Sequence, residues 1–120
     1  MSLSVNTRKV QGVVIMDMSG KLTAGEPVML LRSTVRSFTD DGSRKFLLNL
    51  GSVSYIDSAG LGELITTYTT LRNNGGDVKL LNLTKSAKDL LQMTKLLTVF
   101  DTFDDEAKAV QALSGSAAAG

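Results

Sequence analysis

Residues 46–62 read Phe46-Leu47-Leu48-Asn49-Leu50-Gly51-Ser52-Val53-Ser54-Tyr55-Ile56-Asp57-Ser58-Ala59-Gly60-Leu61-Gly62, and this stretch decides the fold. The apolar run from Lys45 to Asn49 is the pattern of a short strand buried on both faces. Asp57 and Ser58 are residue types that start helices by accepting hydrogen bonds from the first free amides. Beyond them, Leu61, Leu64, Ile65, Tyr68 and Leu71 recur at helical spacing and mark one buried face. The stretch is therefore a strand turning into a helix, with a carboxylate, a hydroxyl and small residues exposed at the junction.

Upstream, Val13 to Met18 reads as a strand, and Gln11-Gly12 as a tight turn joining it to an earlier strand over Leu3 to Lys9. Ser19-Gly20 is expected to break that run. Thr23-Ala24-Gly25-Glu26-Pro27 reads as a loop entering a helix, with Pro27 in the first turn and Val28, Leu31, Val35 and Phe38 as its stripe. Downstream, Asn73-Asn74-Gly75-Gly76 stops the central helix and Val78 to Leu81 is the next strand. Thr84 is a candidate cap for a helix carrying Ala87, Leu90 and Leu91. Val99 to Phe103 suits a short edge strand. Asp104-Asp105-Glu106 suits the first turn of a last helix carrying Ala107, Val110 and Leu113. Met93, Leu96 and Leu97 are expected in the core or covering the last strand. Ser114 to Gly120 is expected to be a frayed tail of small residues outside a single domain spanning 1–113. Alternation after the opening hairpin implies an α/β fold: a mixed, mostly parallel sheet of four to five strands covered by about four helices.

Composition narrows the function. The 120 residues carry a net charge of +1, with 42% apolar and 21% charged residues, values ordinary for a globular protein. Lysines and arginines form no cluster of the kind nucleic acid requires. Nothing reaches the ~20 apolar residues of a membrane helix and the N-terminus has no signal-peptide pattern, so a cytoplasmic location is expected. The chain has no cysteine and no histidine, which removes thiol chemistry and the commonest general base and metal ligand.

The remaining enzymatic motifs fail at identifiable positions. A nucleophile elbow needs glycine two before and two after the serine, and Ser58 has Ile56 and Gly60 there. A dinucleotide fingerprint starting at Gly60-Leu61-Gly62 meets Ile65 at its third glycine position. No phosphate-loop sequence exists. Asp40-Asp41 and Asp104-Asp105 are the densest carboxylates, but adjacent residues rarely converge on one ion, and solvated helix ends explain them. No cofactor and no metal is expected.

Asp57-Ser58 is at minimum a helix cap. Two glycines in the first turns cost roughly 1 kcal/mol each relative to alanine. Gly60 and Gly62 are expected to let the helix approach the sheet, and the small-residue surface to stay flat for something else. Leu61 suits either the core or an interface rim.

Ile56-Asp57-Ser58-Ala59-Gly60-Leu61-Gly62, after an apolar strand and before an amphipathic helix, resembles the signature of the STAS family, and more narrowly the bacterial anti-sigma-factor antagonists. The resemblance runs from about Leu3 to Leu113. It includes the opening hairpin, Ser19-Gly20-Lys21-Leu22, Asn74-Gly75-Gly76 before a strand, and the closing helix. It implies a regulatory protein that is not an enzyme. The serine matching Ser58 would be phosphorylated by an anti-sigma factor serine kinase, which the unphosphorylated form binds, and a phosphatase would act on phospho-Ser58. Thr23, Ala24, Gly25, Asp57, Ser58, Ala59, Gly60 and Leu61 would form the partner-binding surface of a monomer or weak homodimer. Antagonists often carry Asp in the loop where this chain has Thr23-Ala24-Gly25, so acidity there is reduced to Glu26. Other roles within the family are a stressosome-type scaffold and an accessory subunit of a lipid-transport ABC system.

Overall fold

The computed structural model describes residues 3–119, with side chains described as far as Gly115. Five strands and four α-helices follow in the order β1 (Leu3–Val10), β2 (Val13–Leu22), α1 (Glu26–Asp40), β3 (Lys45–Ile56), α2 (Ser58–Asn73), β4 (Asp77–Leu81), α3 (Lys85–Met93), β5 (Thr102–Phe103) and α4 (Glu106–Ala119). A 3₁₀ turn, Leu96–Thr98, lies between α3 and β5. Gln11 (φ 53°) and Gly12 (φ 81°) both take the left-handed conformation, as a two-residue hairpin turn requires.

The strands lie in sequence order β1-β2-β3-β4-β5. β1 pairs antiparallel with β2, and the other neighbours are parallel. Crossovers of one hand that always step the same way across a sheet place their helices on one face. Accordingly Leu31 and Val35 of α1, Leu61, Leu64 and Leu71 of α2, and Ala87 and Leu91 of α3 share one core with Val14, Met16, Phe46, Leu48 and Leu80. Ala109, Val110 and Leu113 of α4 cover Val13, Ile15, Leu47 and Leu81 on the other face. The N-termini of α1, α2 and α3 therefore all lie at the carboxyl end of the parallel strands.

Several local readings need correction. Ser19-Gly20 does not end β2: register shifts between Asp17 and Ser19 and between Gly20 and Lys21 absorb the irregularity, and pairing continues to Leu22. β3 does not stop at Asn49 but runs to Ile56, because its second half pairs with that extension of β2. The edge strand near 99–103 shortens to Thr102–Phe103, while Phe100 is buried in the main core. In α2, Ile65 is 37% exposed, and Glu63 and Thr67 are buried in its place. In α4, Ala107 is exposed and Ala109 is buried. α4 runs to Ala119, past Ser114 where the expected tail starts, and Gly120 lies outside the described residues.

Candidate functional site

The site is built on the turn from β3 into α2. Asp57 has extended backbone (φ −92°, ψ −176°) and caps α2. Its Oδ1 accepts the Gly60 N–H at 2.8 Å, while Oδ2 accepts the Ala24 N–H at 3.0 Å. Its own N–H donates to the Leu22 carbonyl at 3.3 Å. One side chain thus caps a helix and fastens the loop after β2 beside it. The Gly60 amide first, and the Ala24 amide second, hold the Asp57 carboxyl below the usual carboxylate range. It remains an anion at neutral pH.

Ser58 is the first residue of α2 and is exposed, as is Ala59. Its hydroxyl stands where the opening amides and the dipole of the helix favour an anion. On the other side of the junction, Thr23 is half-buried and Ala24 and Gly25 are exposed. Gly25 has φ 94°, which glycine alone adopts readily, and it turns the chain into α1. The Ala24–Asp57 bond thus brings Thr23, Ala24 and Gly25 alongside Asp57, Ser58 and Ala59.

The two glycines of α2 differ. A Cβ at Gly60 would overlap the Leu22 carbonyl oxygen and lie 3.0 Å from Leu22 Cγ, so Gly60 permits the helix to seat on β2. A Cβ at Gly62 would have nothing within 4 Å, and the residue is exposed. The expectation that both glycines serve close packing on the sheet holds for Gly60 and fails for Gly62. Leu61, 9% exposed, takes the core position considered for it. It belongs to the main core and also lines a groove on the surface.

That groove, about 780 Å³ and open to solvent, lies between the start of α2 and α3. Tyr55, Ser58, Leu61, Leu90 and Met93 are among its lining residues. Tyr55 is 53% exposed and Met93 80% exposed. Met93 is therefore neither core nor cover, contrary to expectation, whereas Leu96 and Leu97 do pack against the core. The signal for Met93 was its phase: it stands two residues beyond Leu91, about 200° around the helix from the buried stripe. Thr84 Oγ1 accepts the Ala87 N–H at 3.1 Å and starts α3 at the same groove. Behind the site, the buried carboxylate of Glu63 receives both Nε (3.3 Å) and Nη2 (2.8 Å) of Arg32, joining α2 to α1. Among the described residues no group of acidic side chains converges as a metal site would need, and no helix is long and apolar enough to cross a membrane.

A family model described as the STAS domain matches residues 4–109. An anti-sigma F factor antagonist of Paenibacillus polymyxa is 24% identical over 113 residues, covering 94% of this chain and 97% of that protein. A Thermotoga maritima protein assigned as an anti-sigma factor antagonist superposes with a TM-score of 0.81 at 24% identity, covering 91% of this chain and 93% of that one. The Bacillus cell fate determinant SpoIIAA in its phosphorylated form superposes with a TM-score of 0.72 at 19% identity, covering 91% and 98%. At these identities the structural likeness speaks for the fold. The family match covers most of the chain, residues of all five strands and the whole junction at Asp57-Ser58, and the chain belongs to the STAS domain family.

Proposed function

We propose that this chain is an anti-sigma factor antagonist. In this reading its unphosphorylated form binds an anti-sigma factor serine kinase, and phosphorylation of Ser58 by that kinase releases it. The observation that carries the reading is an exposed serine at the first position of α2, beside a tethered loop on one side and an open apolar groove on the other. The antagonists among the chain's relatives support the class of partner. The phosphorylated form of SpoIIAA supports the chemistry.

The local physics suits a switch of binding more than a switch of fold. Phosphorylation adds about −1.5 to −2 charges and three acceptor oxygens. The N-terminus of α2 tolerates that charge, while the neighbouring Asp57 carboxylate opposes it. These effects offset each other within the protein. A partner packed on the flat surface of Ala59, Gly62 and the groove has no such compensation when it meets a bulky dianion. Losing ~3 kcal/mol of binding weakens the complex more than a hundredfold. The test is incubation with the cognate kinase and ATP, followed by mass spectrometry of the whole chain. One phosphate on Ser58, absent from Ser58→Ala, is expected. Labelling of a different residue would refute the site.

A further inference from the structure

We propose that the free edge of β1 is a self-association surface, on which a second copy of this chain pairs antiparallel to form one continuous ten-stranded sheet. β1 is the outermost strand, and among the described residues its backbone ladder pairs with β2 alone. Val10 and Val13 close the two-residue hairpin, so Val10, Arg8, Asn6 and Ser4 direct their backbone groups inward. Leu3, Val5, Thr7 and Lys9 direct theirs outward, where no other strand of the described residues meets them.

Natural edge strands avoid pairing through bulges, prolines or free charges. β1 has no proline and pairs with β2 without a register shift. Its two charges are engaged elsewhere. Arg8 is held by Asp17 at 2.7 Å and by Glu106 at 2.6 Å, on the α4 face. Lys9 Nζ lies 5.9 Å from the centre of the Phe38 ring. Beside the edge, Leu3 lies with Pro27, Met29 and Leu30 around a shallow pocket, and Met29 is 64% exposed. An unguarded edge is therefore flanked by uncovered apolar surface.

The strand is complementary to itself in one two-fold register, with Leu3 opposite Lys9, Ser4 opposite Arg8, Val5 opposite Thr7, and Asn6 opposite Asn6 of the second copy. All four outward residues find partners in this register, and each cation faces a neutral residue. A register that set Arg8 or Lys9 against its own copy would not have that property. Ser58 follows β3, two strands in from this edge, so the dimer presents two uncovered Ser58 sites.

The register gives the test its geometry. Asn6 would face itself across a non-hydrogen-bonded pair, with Cα atoms about 4.5 Å apart, which lies in the disulfide range. Ser4 would lie about 14 Å from its own copy. The chain has no cysteine, so Asn6→Cys and Ser4→Cys each introduce a single thiol. Sedimentation equilibrium of the wild-type chain should show a monomer–dimer equilibrium. Thr7→Pro, which removes only an outward amide, should raise the dissociation constant at least tenfold with an unchanged circular dichroism spectrum. Asn6→Cys should oxidise to a disulfide dimer at least ten times faster than Ser4→Cys, a readout that stands even if the proline variant does not fold. A chain that stays monomeric across the concentration range, or equal oxidation rates for the two thiol variants, overturns the proposal.

Discussion

Gly60 and Gly62 occupy the same two turns of α2, yet alanine should have opposite effects on stability at the two positions. Neither glycine has positive φ, so the backbone accepts alanine at both. At Gly62 the added methyl group meets nothing within 4 Å, and the gain is the helix-propensity difference of about 1 kcal/mol. For a domain of this size that raises the melting temperature by about 4 °C. At Gly60 the methyl group overlaps the Leu22 carbonyl oxygen, a backbone atom that cannot move aside without parting α2 from β2, and the cost is about 3 kcal/mol. If Gly62 is kept bare so that a partner can approach, Gly62→Ala should weaken the kinase complex by about 1–3 kcal/mol, or roughly 5- to 150-fold, through overpacking at that contact. Thermal unfolding followed by circular dichroism, together with calorimetric titration against the cognate kinase, measures both quantities. A Gly62→Ala protein that is more stable and binds the kinase as wild type does would refute the argument that the exposed glycine serves the partner. Destabilisation would refute the assignment of open space around it.

Other residues give independent checks. The folded-state pKa of Asp57 is depressed, so its contribution to stability is complete above the unfolded value of about 3.9 and is lost as pH falls through the folded value below it. Urea midpoints between pH 6 and pH 2 should therefore fall less steeply for Asp57→Asn than for wild type. Met93→Ala should leave stability within about 0.5 kcal/mol, since the side chain is 80% exposed, and weaken kinase binding by about tenfold. A binding constant equal to wild type would remove the groove from the interface. Arg8→Met breaks the ion pairs with Asp17 and Glu106, both half-buried at the surface, and should cost about 0.5–1 kcal/mol at low salt. In 1 M salt the difference in urea midpoint should shrink.

Much of the fold was legible where one residue has one local solution. Gln11-Gly12 reads as a hairpin turn because few dipeptides accept two left-handed conformations in succession, and Asp57 and Thr84 read as caps because their side chains replace missing helix partners. The misreadings come from tertiary context. β3 outlasts its apolar run because β2 continues beside it as far as Leu22, the two register shifts placing one extra residue each on β3. Glu63 displaces Ile65 from the buried face of α2 because Arg32 of α1 neutralises the acid where it is buried, a pairing between residues 31 apart in the chain. At the site, Asp57-Ser58-Ala59-Gly60 stood out from its residue types alone. The exposure of Met93 was legible in its phase relative to Leu91, whereas the tether from Ala24 to Asp57 required the packing of the loop after β2 against α2 to be known.

The central claim, that Ser58 is the switch, is tested most directly by the affinity of the cognate kinase for three forms of the chain: wild type, Ser58→Ala and the Ser58 phosphoprotein. The wild-type and alanine forms should bind within a few-fold of each other. The phosphoprotein, with an unchanged circular dichroism spectrum, should bind at least a hundredfold more weakly. Equal affinity for all three would contradict the account.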